Sequence, residues 1–344
     1  MTMSGSESRI QQVLFRLEAD YFGNPFYVSG HALFSGIARR VNAATRRALC
    51  VSHGVFVPGE HGAYPEVHSR AGGVPFFGAG LRPVEAYDDL FVFRDALHEW
   101  LLDSRPRDAH NTQPLHRFGD RVTFGSTRVF GRPPESRYAK RTVTWYVHCY
   151  VHVDDSGGRA GVDGSEGGSV EFPLREDVLD GLRVGGGRNF GFGELSLKET
   201  RTVDLDAVSF DRLDAAAKDG EAFVVELVSP FVVASEFPGA DSQSVPWWWE
   251  LPGDVAGNGL RRREERVVVG GEAHAVETID HGQRVLYAGR DPVRTARNGV
   301  LRVGTHAKYG FGELRMRPAT DVPELARDGQ GRGDEGGDAS TGEG

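Results

Sequence analysis

Only two cysteines, Cys50 and Cys149, occur in the 344-residue chain. They are too few and too far apart in sequence for a disulfide framework or a thiolate zinc site, so a reducing cytoplasm is the simplest compartment to expect. No apolar run approaches the roughly 18 residues that a membrane helix needs. The opening MTMSGSESR has neither the basic nor the apolar region of a secretory signal, so no membrane partner is expected. Lysine is scarce, with 4 against 36 arginines, while Asp and Glu total 49 and the net charge is −9. Part of that acidity lies in the closing ATDVPELARDGQGRGDEGGDASTGEG, which is Gly-rich and almost free of large apolar side chains. Such a segment reads as a disordered acidic tail over 319–344, and the body is closer to neutral than the total suggests.

Glycine, by contrast, is plentiful and patterned. LRVGGGRNFGFGEL at 182–195 returns 119 residues later as LRVGTHAKYGFGEL at 301–314, with nine of fourteen positions identical. A spacing of that size marks two related domains rather than a short-period solenoid, and the length allows two cores. A dinucleotide fingerprint would place its glycines at the start of a helix. Here ELSLKE and ELRMR follow, and both alternate like strands. A phosphate-cradling P-loop would need Lys followed by Ser or Thr, which neither copy supplies. Glycines ahead of a strand can simply permit tight packing. Each copy, however, also carries an aromatic before GFG (Phe190, Tyr309) and a basic residue close upstream (Arg188, Lys308). Open backbone amides, a cation and a stacking ring together suit single-stranded RNA.

Along the chain, 10–22 reads as a strand, HALFSGIARRVNAATRRAL as one helix with Leu33, Ile37 and Val41 on its apolar side, and 86–102 as a helix. RTVTWYVHCYVHV (141–153) alternates as a strand. SVEFPLREDVLDGLRV reads as a strand end leading into a short helix, and ELSLKET as the strand after the glycine loop. In the second half, EAFVVELVSPFVVASEF reads as strand broken at Pro230, and GLRRREERVVVGGEAHAVETI as two strands around a GG turn. The order predicts an α+β fold with two ferredoxin-like (RNA-recognition-like) domains, 1–202 and 203–318, each ending in its glycine loop and a strand.

GLRVGGGRNFGFGELSL and VLRVGTHAKYGFGELRM resemble the G-rich loop of the repeat-associated mysterious protein (RAMP) superfamily of CRISPR-associated proteins. YVSGHALFSGIARR (27–40) resembles the segment that opens the first helix in that superfamily, with Gly36 and Arg39 at matching positions. The resemblance implies a subunit that binds guide RNA in a multisubunit antiviral ribonucleoprotein alongside other CRISPR effector subunits. It implies RNA contacts at Gly185, Gly186, Gly187, Arg188, Phe190, Gly191 and Gly193 in the first loop, and at Gly304, His306, Lys308, Tyr309, Gly310 and Gly312 in the second. It also leaves open an endoribonuclease that processes repeat transcripts, since relatives of that kind use a His as general acid or base, with the RNA 2′-hydroxyl as nucleophile and no metal. His31 is then the catalytic candidate, with Tyr27 and Arg39 assisting; a His at a helix start can equally bind phosphate or only solvate the cap. Relatives that cut target RNA resemble one another in an Asp shortly before the first helix, where this chain offers only Asp20.

STRVFGRPPESRYAKR (126–141) interleaves basic and aromatic side chains, so Arg137 and Tyr138 join the RNA-binding candidates. His110 and His116 lie in a basic stretch without the spacing or third ligand of a metal site, and no metal or cofactor is expected. Three consecutive tryptophans at 247–249 cannot all face one core from a strand, so at least one is expected to meet a base or a partner protein. His148 and His152 flank a strong strand pattern and are expected to be structural.

Overall fold

The computed structural model describes residues 8–24, 27–58, 80–94, 122–124, 127–129, 142–154, 169–237, 242–250, 259–269 and 272–322. The strands of the first half are β1 (Arg9–Leu17), β2 (Tyr21–Phe22), β3 (Tyr27–Val28), β4 (Leu49–Val51), β5 (Gly54–Pro58), β6 (Val122–Phe124), β7 (Thr127–Val129), β8 (Thr142–Val153), β9 (Leu182–Arg183) and β10 (Glu194–Asp204). Those of the second half are β11 (Phe223–Leu227), β12 (Phe231–Ser235), β13 (Trp249–Glu250), β14 (Arg262–Val269), β15 (Glu272–Ile279), β16 (Arg284–Tyr287) and β17 (Leu314–Pro318). The α-helices that accompany them include α1 (Gly30–Ile37), α2 (Ala43–Ala48), α3 (Glu176–Leu179), α4 (Asp211–Lys218) and α5 (Pro292–Val300). The result is a mixed α+β fold of antiparallel sheets with few helices. No described helix is long and apolar enough to cross a membrane.

In the first half β1 lies between β8 and β10, and the sheet runs β3–β5–β8–β1–β10–β9. A strand buried on both faces can present apolar side chains to each. Val13, Phe15 and Leu17 point toward Leu33 and Ile37 of α1, while Leu14 points to a cluster with Val57, Leu81 and Phe93. Gln11 is buried in the same strand and loses nothing by it. Its amide donates to the Leu174 carbonyl (2.9 Å) and accepts from the Leu174 N–H (2.8 Å), which fixes the segment entering α3.

The single helix expected from 31 onward is two helices. α1 stops at Ala38 because Arg40 turns away to the carbonyls of Asp180 and Gly181. Asn42 then caps a new start, its side chain accepting from the Thr45 N–H at 2.8 Å, the role for which a short amide side chain is suited. The expected strand at SVEF is absent, since 169–172 carry no regular structure before α3. Of the expected 86–102 helix, Tyr87–Phe91 is a 3₁₀ turn, 92–94 continue it as α-helix, and the part from 95 onward lies outside the described residues.

The second half contains a four-stranded sheet in the order β13–β16–β11–β17 and a three-stranded sheet β12–β15–β14. The strand that follows each glycine loop lies beside the first strand of its half, with two more strands beyond, in the same way: β10–β1–β8–β5 and β17–β11–β16–β13, β9 adding to the far side of β10 in the first half. In each half the glycine loop leads into that strand, β10 or β17. The sequence pattern predicts no helix at 292–300, where α5 stands. Asp291 caps α5 by accepting from the Arg294 N–H (2.9 Å), and Pro292 opens its first turn, a start signal with a physical basis. The halves share apolar surface. Ile10 and Tyr150 from the first sheet join Leu213, Val225, Phe231, Val300 and Met316 from the second half in one core cluster.

Candidate nucleic-acid interface

The two glycine loops are the same object in space. Left-handed φ angles of +77°, +65°, +88° and +67° at Gly185, Gly187, Gly191 and Gly193 recur as +93°, +63°, +95° and +78° at Gly304, His306, Gly310 and Gly312. In each, a single 3₁₀ turn presents the aromatic. The Phe190 N–H donates to the Gly187 carbonyl and the Tyr309 N–H to the His306 carbonyl, both at 2.8 Å. The last glycine donates to a carbonyl just beyond the first strand of its own half, Gly193 to Asp20 and Gly312 to Pro230, again both at 2.8 Å. A Cβ on Gly193 or Gly312 would overlap the carbonyl oxygen of Val184 or Val303. These glycines are therefore required by the loop's own closure.

Their surroundings differ. Around Gly191 no atom lies within 4 Å of where a Cβ would sit, and Phe190 is 66 % exposed. The second loop is instead wedged against the first half. Tyr309 meets His31 and Phe34 edge-on, with ring centroids 5.2 and 5.1 Å apart. Gly310 abuts the His53 ring. The Lys308 ammonium donates to the carbonyls of Arg46 and Arg47 (3.1 and 3.0 Å) at the end of α2 and lies 4.9 Å from the Phe34 ring. Gly30 sits so close to the Tyr309 carbonyl that no side chain would fit there.

The start of α1 thus stands where the second loop arrives, and the charge of Arg188 in the first loop acts on it electrostatically. Ser29 caps it by accepting from the Ala32 N–H. His31, next but one, is half-buried; desolvation, with the Arg188 guanidinium adding to it, holds its imidazole down at about 4. The side chain is neutral at pH 7. Arg46 lowers Lys308 in the same sense, after burial. Among the described residues, Arg39, Arg46, Arg47, Arg188 and Lys308 pair with no carboxylate, while cations elsewhere commonly do, as in Arg262–Glu277 (2.7 Å), Arg175–Asp177 and Arg297–Asp206 (both 2.9 Å). Uncompensated charge at Arg188 in the first loop, and at Arg46 and Arg47 beside the second, favours a polyanion there.

The structure does not bring all the expected catalytic residues together. Arg39 lies in the turn after α1, about 12 Å along the helix axis from His31. Tyr27 is buried beneath: its ring stacks on His53 (4.4 Å, 28°), its hydroxyl donates to Glu265, and burial first, with Glu265 beside it, raises the phenol well above its ordinary range. Tyr27 is a neutral donor locked into the junction between the halves. Asp20 contributes its backbone carbonyl to the first loop. Arg137, Tyr138, His110 and His116 lie outside the described residues, as does the tail from 323 onward. Of the tryptophans, Trp249 is buried against Phe231, Trp248 packs on Trp249 and Tyr287, and Trp247 is 79 % exposed.

Behind the second loop lies a polar network that sequence reasoning missed. Glu313, the Glu of the second GFGEL, is fully buried, 3.2 Å from Arg94. Burial pushes its carboxyl up, and Arg94 and Arg302 pull it back. Arg302 reaches His152 Nδ1 at 2.9 Å and donates to the Ala307 carbonyl at 2.8 Å. In the first copy the equivalent Arg183 and Glu194 pair with each other on the surface at 3.1 Å. His148 and His152 are both buried, and the same desolvation holds each well below its ordinary value. The chain matches no protein-family model and no curated protein.

Proposed function

We propose that the protein binds single-stranded RNA as a RAMP-type subunit of a CRISPR effector ribonucleoprotein in the cytoplasm, with the first glycine loop and the start of α1 as the grip. The observation that carries this reading is the unpaired cationic group around α1 beside an exposed, glycine-framed Phe190. Phosphates meet Arg188 and the loop amides, and a base stacks on Phe190. The strand order shared by the halves, with a glycine loop before β10 and before β17, supports two ferredoxin-like units. The second loop takes a different part: Lys308 and Tyr309 join the halves and shape the wall beside His31.

Arg188→Ala and Phe190→Ala, both at accessible positions, are expected to weaken binding of a labelled single-stranded RNA by about 1–3 kcal/mol each without changing the melting temperature. Folded variants that bind RNA as the parent does would overturn the reading. The endoribonuclease alternative rests on His31, whose neutral ring beside Arg188 could take a proton from a 2′-hydroxyl. RNA cleavage by the parent in EDTA that is lost in His31→Ala would favour it over binding alone.

A further inference from the structure

The rings around Tyr309 do not end at the junction. On one side Tyr309 meets His31 and Phe34 of α1; on the other its ring centroid is 6.2 Å from Phe237 and 6.3 Å from His306. Phe237, just past β12, then meets His306 at 5.7 Å and His274 of β15 at 5.3 Å. This row crosses from the first half to the second beside a small apolar cluster of Val232, Val267, Val276 and Phe311, on which Tyr309 packs and whose Phe311 ring lies 6.1 Å from His306. Tyr309, His306, Phe237 and His274 are each half-buried. Ser235 holds the row in place: its Oγ lies 3.1 Å from His306 Nε2 and accepts from the Phe237 N–H at 3.0 Å. His306 occupies a left-handed position that the first loop gives to Gly187, and its ring stands in the row. Among the described residues no carboxylate pairs with His274 or His306.

We propose that Phe237, His274 and His306 form a second base-stacking position, so that an RNA strand gripped at Arg188 and Phe190 runs over Tyr309 onto the β12–β15 sheet. The inference rests on the RNA reading above and extends it. A polyanion is favoured over a protein partner because the row begins at the unpaired cations and is built of aromatic and imidazole faces. Stacking on such faces tolerates any base, whereas a protein would ask for contiguous apolar surface.

The test uses the full chain and fluorescence anisotropy with labelled oligouridylates of about 4 and about 16 nucleotides, the range of single-strand site sizes. Phe237→Ala and His274→Ala are expected to weaken the longer strand by about 5- to 150-fold, the equivalent of losing one stacked base. The shorter strand keeps its affinity, and Phe237→Trp restores binding of the longer one. Arg188→Ala weakens both lengths. If folded Phe237→Ala and His274→Ala bind both lengths as the parent does while Arg188→Ala still weakens both, the second position is wrong and the RNA reading stands. Equal losses at both lengths would also refute a separate second position. A parent chain that binds neither length overturns both.

Discussion

Glu194 and Glu313 are the same letter of the same repeat, and one substitution made in each separates a surface contact from a buried one. In the first loop the Arg183–Glu194 pair is 51 % and 42 % exposed. Water screens it, so Glu194→Ala is expected to cost at most about 1 kcal/mol. In the second, Arg94 and Glu313 are 7 % and 0 % exposed. Glu313→Ala leaves the Arg94 guanidinium desolvated without its carboxylate, which costs about 3–5 kcal/mol. The gap between the variants is then at least about 2 kcal/mol, more than a tenfold difference in the unfolding constant. Urea unfolding followed by tryptophan fluorescence reads it, Trp145 and Trp249 being buried reporters. Glu313→Gln keeps the shape but not the charge and should retain most of the loss. Arg94→Met combined with Glu313→Leu removes both charges of the pair and should recover part of it, with Arg302 left facing the site. Equal costs for Glu194→Ala and Glu313→Ala, within about 0.5 kcal/mol, would refute the claim that the ion pair joining the halves is held out of water.

The other predictions concern the loops and their charges. Gly191→Ala and Gly310→Ala impose the same left-handed strain, about 1–2 kcal/mol; only the second collides with His53, so thermal unfolding should show it as clearly the more damaging. Lowering pH tests His31, whose pKa is near 6.5 when unfolded and about 4 when folded. The unfolded chain takes up the proton first, so this group's contribution is full above pH 6.5 and is lost as pH falls toward 4. RNA phosphate beside the ring should raise its pKa, so affinity should strengthen on acidification until about pH 4, and His31→Gln should flatten that profile. Lys308→Met, which frees the end of α2, should lower stability while changing the salt dependence of RNA binding little. Arg188→Ala should reduce the slope of log affinity against log salt by about 0.7, and the reverse pattern would contradict the division of labour between the loops.

Local patterns carried much of this structure. The alternation in β1 and β8, the antiparallel pairing of β14 with β15, the break at Pro230 and the strand after each GFG all follow from periodicity and turn chemistry. The division of the first helix did not follow, because the apolar spacing of Leu33, Ile37 and Val41 continues through Asn42, and only contacts of Arg40 with residues far along the chain end α1. α5 could have been read from Asp291–Pro292, a capping pair whose apolar face is short. The different fates of the two loops were hidden for a further reason. Lys308 and Tyr309 fit an RNA grip as well as Arg188 and Phe190 do, and only docking on α1 and α2 turns Lys308 inward and half-buries Tyr309. Likewise, the GFGEL motif gives no hint that Arg94, more than two hundred residues earlier, meets one of its two glutamates.

The core cluster that places Ile10 and Tyr150 among side chains of the second half bears on how such a chain can be divided. A repeat in sequence suggests parts that could be inherited, expressed or exchanged singly. Here each part would carry a raw apolar wound where the other had been. A cut in the connection between β10 and α4 should therefore yield fragments that aggregate when made alone and reassemble when made together, with the second glycine loop serving as the clasp.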